Sequence, residues 1–245
     1  MTAAPVAAAP ISAVAFDLDG TLVDLERFHH GALLRAAEDV GVVLTWAQAL
    51  DRLAHFIGGP DARVAAEVAS LAPAGVSAAE VLAAKRRYFS SMVGAAGRID
   101  PRAGVRKVLD RLAGRGLPLA VGTVTERETA LGILDRAGLL TVFGEGAVVT
   151  GSDVPRLKPA PEVYQETARR LGVPPAEQLV FEDSVTGMTA ARSAGSPVVA
   201  MPTVRDRDYL AAVAACGASA VFPAWHDRGL LPWLERATGG RARRA

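Results

Sequence analysis

Two pairs of acidic residues stand at the ends of short apolar runs. Asp17 comes directly after the run SAVAF, with Asp19 two residues later, and Glu182 ends the run QLVFE, with Asp183 next. If these runs are parallel strands of one sheet, their carboxyl ends lie at the edge where open α/β sheets bind ligands. Carboxylates crowded at such an edge repel one another unless a cation neutralises them. An all-oxygen ligand set favours Mg²⁺, which also keeps places for water and phosphate oxygens.

A hydroxyl and a lysine are predicted at the same edge. Thr123 follows the apolar run LPLAVG, and Lys158 comes just before a predicted helix. A carboxylate beside Mg²⁺ can attack phosphorus and form an aspartyl-phosphate, while a lysine and a hydroxyl stabilise the charge on the phosphoryl oxygens. We therefore hypothesise that Asp17 is the nucleophile. Asp19 would protonate the leaving alcohol and later take a proton from the attacking water.

The neighbours of these residues are candidate phosphate- or substrate-binding residues. Gly20 and Thr21 follow the first acid pair, and Val124 and Thr125 follow Thr123. A glycine at position 20 allows the backbone to turn sharply beside a phosphate group.

The apolar runs are short, continuous and regularly separated, which is typical of strands buried on both faces of a parallel sheet. They occupy 12–16, 117–122, 146–150, 178–182, 197–201 and 218–222. Helical stretches at 126–137, 160–171 and 186–194 lie between them. Thr125, with Glu128 three residues later, predicts a capping box for the first of these helices. This alternation predicts an α/β fold, a Rossmann-like doubly wound parallel sheet.

One long interval after the first strand has no strand pattern. It contains four predicted helices, at 27–40, 46–57, 61–72 and 78–93. Thr45 with Gln48, and Ser77 with Glu80, predict capping boxes for the second and fourth. We expect an all-helical cap inserted into the sheet domain. The predicted organisation is a core of 11–25 plus 100–224, a cap of 26–99, and flexible termini at 1–10 and 238–245.

Four segments together resemble the haloacid dehalogenase superfamily. They are FDLDGTLVD, VGT, RLKPAPEVY and VFEDSVTGMTAARSAG, in that order, and the resemblance extends from about residue 12 to 201. KPAPEVY and FEDSVTG look most like the subfamily with a helical cap, which includes β-phosphoglucomutase and phosphoglycolate phosphatase. The resemblance implies a Mg²⁺ bound by the Asp17 side chain, the Asp19 backbone carbonyl and Asp183, with Glu182 close by. It also implies phosphate contacts from Thr123 and Lys158.

Two positions depart from the family's usual pattern. Leu157 stands where Gly or Ser is frequent, and Leu25 stands where Ser or Thr is frequent.

The residues of the cap leave alternatives open. His29 is expected to pack within the cap, with a substrate contact as the alternative. The stretch 55–63 is either a simple turn or a specificity loop that brings Arg63 to an anionic group. Closure of the cap is expected to hinge near 23–26 and 97–101.

Composition limits the remaining function classes. A net charge of +1 indicates no nucleic-acid partner, and the basic end GGRARRA is interpreted as a solvated tail. The single cysteine, Cys216, forms no internal disulfide and fits a cytoplasmic protein. We expect neither a signal peptide nor a membrane span, and a monomer or a dimer.

These observations favour a Mg²⁺-dependent phosphatase acting on a small phosphorylated metabolite, a sugar or polyol phosphate. A hexose phosphomutase of the β-phosphoglucomutase type would use the same residues but return the phosphoryl group to sugar. A catalytically silent binding protein is a third alternative, disfavoured because both Asp17 and Asp19 are present. A dehalogenase is disfavoured because such members of the superfamily need neither Asp19 nor Mg²⁺.

Overall fold

The computed structural model describes residues 10–57, 61–203 and 207–239. Within these ranges the chain divides into two compact units. One is Leu25–Gly97, and the other combines the residues before and after that segment. The predictions for 1–9 and 240–245, and for the middle of the 55–63 stretch, lie outside the described residues.

The larger unit is built on a parallel sheet in the order β3-β2-β1-β4-β5-β6. The strands are β1 (Ala13–Phe16), β2 (Leu119–Gly122), β3 (Val148–Val149), β4 (Gln178–Glu182), β5 (Val198–Ala200) and β6 (Ala220–Val221). Each lies within an apolar run that predicted a strand, so the predicted parallel α/β sheet is confirmed. β1 is central and completely buried, and Phe16 is level with Val121 on one side and Phe181 on the other. The residues that follow Phe16, Val121 and Phe181 therefore meet at one edge of the sheet.

The described residues of Leu25–Gly97 form helices and connecting loops. The helices are α1 (Glu26–Asp39), α2 (Trp46–Arg52), α3 (Asp61–Leu71) and α4 (Ala78–Ala95). Both predicted capping boxes are present, at Thr45 and at Ser77. α2 is shorter than the predicted 46–57 because Leu53, at its end, adopts an extended backbone. Leu53 and Phe56 are instead buried in the core of this unit.

Helices of the larger unit cover the sheet and connect its strands. They are α5 (Val105–Ala113), α6 (Arg127–Arg136), α7 (Leu140–Phe143), α8 (Glu162–Leu171), α9 (Val185–Ala194), α10 (Arg207–Ala215) and α11 (Leu230–Thr238). α8 and α9 end at Gly172 and Gly195, as the sequence predicts. In the part of the chain that the structure describes, no helix is both long and apolar enough to cross a membrane.

Two local predictions are wrong. Thr125 does not cap α6, whose first residue is Arg127 and whose N-cap is Glu126, without a side-chain cap bond. The Thr125 backbone N–H and hydroxyl instead pair with the Thr123 hydroxyl, at 3.2 and 3.1 Å. Thr238, predicted to begin a flexible terminus, is the last residue of α11, is buried, and donates its hydroxyl to Leu234 O at 2.7 Å.

Candidate active site

The loop after β1 is held in a tight turn. The Asp17 backbone N–H donates to Phe181 O at 2.9 Å, which continues the strand ladder one residue past β1. Gly20 has φ +82° and donates its N–H to Val23 O at 2.8 Å. The Trp225 indole N–H donates to Thr21 O at 2.8 Å. The turn therefore has a fixed path at the point where the first acid pair leaves the sheet.

The predicted acidic residues come together at this edge. One carboxylate oxygen from each of Asp17, Glu182 and Asp183 lies within 4.8 Å of the other two. The Thr21 hydroxyl donates to Asp183 Oδ1 at 3.1 Å. Asp19 is partly exposed, and its charge contributes to raising the pKa of both Asp17 and Asp183. Because β1 and β4 are adjacent parallel strands, residues 165 positions apart along the chain belong to one cluster.

Lys158 contacts two of the three carboxylates of the acidic cluster. Its ammonium donates to Asp17 Oδ1 at 2.6 Å and to Glu182 Oε1 at 2.7 Å. Gly122 O at 2.9 Å and the Tyr164 hydroxyl at 3.0 Å are also within its reach. Burial alone would lower the pKa of Lys158, but the two carboxylates outweigh that effect and raise it. Lys158 is therefore a permanent cation beside the proposed nucleophile.

Glu182 is completely buried and held by four hydrogen bonds. Oε1 accepts from Lys158 and from the Tyr164 hydroxyl, at 2.7 and 2.8 Å. Oε2 accepts from the backbone N–H and the hydroxyl of Ser184, both at 3.0 Å. A carboxylate offers about four lone-pair sites, so this side chain has little freedom to move.

Two glycines provide the space that the acidic side chains occupy. A Cβ at Gly20 would lie 2.2 Å from Asp183 Oδ2, and a Cβ at Gly187 would lie 1.6 Å from Glu182 Oε1. Gly20 also has a left-handed backbone that other residues rarely adopt. These positions couple the backbone of the turn and of α9 directly to the acid cluster.

We expect Gly187→Ala to destabilise the fold by about 1–3 kcal/mol and to impair any activity of the site, because the fixed Glu182 must move to admit a methyl group. Chemical denaturation measures the free energy of unfolding. Gly94→Ala in α4 is the matched control, since a Cβ there meets nothing within 4 Å and helix propensity favours alanine by up to about 1 kcal/mol. Equal stabilities for the Gly187→Ala and Gly94→Ala proteins would contradict this account of Gly187.

The electrostatics of the cluster fit a divalent cation. Burial raises the pKa of Asp17 to about 7 despite the attraction of Lys158, and burial and the neighbouring carboxylates raise that of Asp183 well above its ordinary value. Protonation of these two carboxyl groups is therefore favoured, because the nearby positive charge is too small to neutralise the acidic cluster. A hard cation with oxygen ligands would supply that charge. The donor set therefore suits Mg²⁺.

The second predicted segment lies at the end of β2. Thr123 is buried, and its N–H donates to Val149 O at 3.0 Å. Val124 is 44% exposed, and Thr125 is half-buried. Lys158 contacts Gly122 O, one residue before Thr123. Thr123, Val124 and Thr125 therefore follow the end of β2, and Lys158 contacts both this strand end and the acidic cluster.

Sequence reasoning assigned no role to two residues of the site. Tyr164 is the last residue of the KPAPEVY segment, and its hydroxyl contacts both Lys158 and Glu182. Burial and the charge of Glu182 raise the pKa of Tyr164 well above its ordinary value.

The second residue is Arg102. Its guanidinium donates to Gly20 O and, at 3.5 Å, to Met201 O. Arg102 thereby joins the turn after β1 to the end of β5, and nothing in its local sequence indicated this.

The two predicted substrate residues of the helical unit have partners within that unit. His29 Nδ1 lies 2.7 Å from the Lys85 ammonium, and the His29 ring stacks on Phe89 with centroids 4.2 Å apart. Arg63 lies 3.4 Å from His55 Nε2. These contacts fit a packing role for His29. A substrate contact for either residue stays a prediction.

Comparison with known proteins points to a single family. A family model described as haloacid dehalogenase-like hydrolase matches residues 11–195. Protein CbbY of Rhodobacter capsulatus is 32% identical over 82% of this chain and 91% of its own length. The phosphorylated carbohydrates phosphatase of Thermotoga maritima is 33% identical over 76% of this chain and 82% of its own. A crystal structure of a HAD family hydrolase from Deinococcus radiodurans with bound phosphate and sodium has a TM-score of 0.70 and 29% identity, and the match covers 93% of this chain and 96% of that one.

Proposed function

Since this chain belongs to the haloacid dehalogenase-like hydrolase family, we propose that it is a Mg²⁺-dependent phosphatase that hydrolyses a phosphorylated sugar or polyol. The expectation of an enzyme of this family is confirmed. The single observation that carries the proposed chemistry is the contact between Lys158 and Asp17 at 2.6 Å within the buried acid cluster. This contact places a permanent cation beside the candidate nucleophile, where the negative charge of the phosphoryl group must be stabilised.

The proposed reaction has two steps. An Asp17 carboxylate oxygen attacks phosphorus and forms the aspartyl-phosphate, while the bond from phosphorus to the substrate's ester oxygen breaks. Asp19 donates its proton to the departing oxygen, which leaves as the alcohol. Asp19 then takes a proton from water, the water oxygen attacks phosphorus, and inorganic phosphate departs with the Asp17 carboxylate restored.

The other polar residues of the site are assigned binding roles in this proposal. The Lys158 ammonium and the Thr123 hydroxyl bind phosphoryl oxygens, and the backbone of Gly20, Val124 and Thr125 lines the same edge. The Asp17 and Asp183 side chains and the Asp19 carbonyl would hold Mg²⁺, with Glu182 beside them. When bound, the ion neutralises the acid cluster and polarises the phosphoryl group.

One comparison supports a phosphorylated sugar as the substrate class, and a second supports phosphate binding. The relative from Thermotoga maritima is named for phosphatase activity on phosphorylated carbohydrates. The Deinococcus radiodurans structure holds phosphate and a cation on a related chain. Sugar and polyol monophosphates are therefore the first compounds to test.

The test is phosphate release from a panel of sugar and polyol monophosphates, with Mg²⁺ or with excess EDTA. We expect release from at least one compound, a loss of at least about 100-fold in EDTA, and recovery when Mg²⁺ is restored. Recovery separates loss of metal from irreversible unfolding.

Two outcomes would contradict the proposal. Release that is unaffected by EDTA would contradict the metal requirement. Conversion of β-glucose 1-phosphate to glucose 6-phosphate without phosphate release would instead identify a hexose phosphomutase, the alternative that the sequence left open.

A further inference from the structure

Tyr164 is a buried tyrosine whose hydroxyl contacts two charged groups of the site. It comes from α8 and is completely buried. The hydroxyl lies 3.0 Å from the Lys158 ammonium and 2.8 Å from Glu182 Oε1. The ring packs against β2, where a Cβ at Gly122 would lie 3.1 Å from Tyr164 Cε1. A phenylalanine would keep that packing and lose only the hydroxyl.

The direction of each hydrogen bond follows from the chemistry of the groups. An ammonium only donates, so the Tyr164 oxygen accepts from Lys158. The hydroxyl proton must then go to the carboxylate, Glu182 Oε1. Lys158 thus has four acceptors, namely Asp17, Glu182, Gly122 O and Tyr164, for three protons.

This surplus of acceptors has a consequence when a phosphoryl group arrives. To bind a phosphoryl oxygen, Lys158 must withdraw one N–H from a present partner. Withdrawal from Glu182 would leave a buried carboxylate oxygen short of a donor, which is costly. The Tyr164 hydroxyl already donates to that oxygen, so Glu182 stays partnered while Lys158 turns toward the phosphoryl group.

We infer that Tyr164 is a positioning residue that acts through Lys158: its hydroxyl holds Glu182 in place and frees one N–H of Lys158 for the transferring phosphoryl group. This inference rests on the proposed function for its kinetic consequence. Its structural basis is the hydrogen-bond network alone.

The kinetic test is Tyr164→Phe, with Tyr88→Phe as the matched control. Tyr88 is a half-buried residue of the helical unit, and its hydroxyl also donates to a carboxylate, Asp39, at 2.8 Å, but this hydrogen bond is exposed. We expect Tyr164→Phe to lower kcat by about tenfold, the scale of one hydrogen bond to a charged group, with KM changed less than about threefold. A purely structural role would lower the melting temperature and leave kcat per folded enzyme unchanged, which would overturn the inference.

A double-mutant cycle with Lys158→Ala tests whether the effect passes through Lys158. In the Lys158→Ala background, Tyr164→Phe is expected to change the residual kcat by less than about twofold. A tenfold loss in both backgrounds would show that Tyr164 acts independently of Lys158 and would overturn the inference.

Binding of orthovanadate gives a readout independent of turnover, because vanadate adopts the five-coordinate geometry of a transferring phosphoryl group. Calorimetry with Mg²⁺ present is expected to show a Kd about tenfold higher for Tyr164→Phe and unchanged for Tyr88→Phe. Equal affinities for wild type and Tyr164→Phe would overturn the inference. A wild type that binds vanadate but hydrolyses none of the panel would contradict the proposed function alone, and failure of wild type to bind vanadate would contradict both.

Discussion

Asp17→Asn is expected to lower phosphate release by about 10⁴-fold or more, because an amide of nearly the same shape cannot attack phosphorus. The same substitution removes one negative charge from a crowded, buried cluster. Burial already raises the pKa of Asp17 to about 7, which shows that its charged form is unfavourable there. We therefore expect the metal-free variant to be at least as stable as wild type.

Phosphate release with Mg²⁺ and thermal unfolding in EDTA measure the two effects of Asp17→Asn. Asp110→Asn is the matched control, since Asp110 is an exposed residue of α5 outside the site, and we expect it to leave both quantities unchanged. An Asp17→Asn protein that retains more than a few per cent of wild-type turnover would contradict the assignment of Asp17 as nucleophile. Inactivity accompanied by a large loss of stability would point to a structural cause.

Lys158→Met is expected to destabilise the protein by about 3–5 kcal/mol, because it leaves two buried carboxylates, Asp17 and Glu182, without their shared cation. Activity should fall by at least about 100- to 1,000-fold, the scale for loss of one preorganised donor to phosphoryl charge. Added Mg²⁺ should recover part of the lost stability, because a cation bound to the folded acid cluster replaces some of the missing charge.

Urea denaturation with and without Mg²⁺ measures the stability of the Lys158→Met protein. Arg111→Met is the matched control, because Arg111 pairs with Glu235 at the surface, where both side chains are largely exposed. Loss of such a pair costs about 0–1 kcal/mol. If Lys158→Met and Arg111→Met lost similar stability, the buried charge balance described for Lys158 would be wrong.

Local signals in the sequence were sufficient for most of the fold. Strands buried on both faces require continuous apolar runs, and each of the six runs contains a strand. The capping boxes at Thr45 and Ser77 form because their hydrogen bonds join residues three apart. Where a tertiary contact competed, the local signal failed. Thr125 pairs with Thr123 instead of capping α6, and the chain after Arg52 leaves the helix to bury Leu53 and Phe56.

The acidic residues of the site could also be predicted from the sequence. Parallel strands bring their carboxyl ends to one edge, so acidic residues after two such strands must approach each other if the strands are neighbours. The sequence therefore determined which chemical groups this protein has and the edge of the sheet at which they lie.

Only the tertiary structure decided how those groups are held. Lys158 and Asp17 are 141 positions apart, and Arg102 and Gly20 are 82 apart, so no local pattern could specify either pair. The role of Tyr164 depends on where its hydroxyl meets Lys158 and Glu182, and Gly187 matters because the Glu182 carboxylate occupies the space beside it. Hydrogen-bond direction, burial and close approach are properties of the packed chain, and they determine the charge balance that the acidic residues experience.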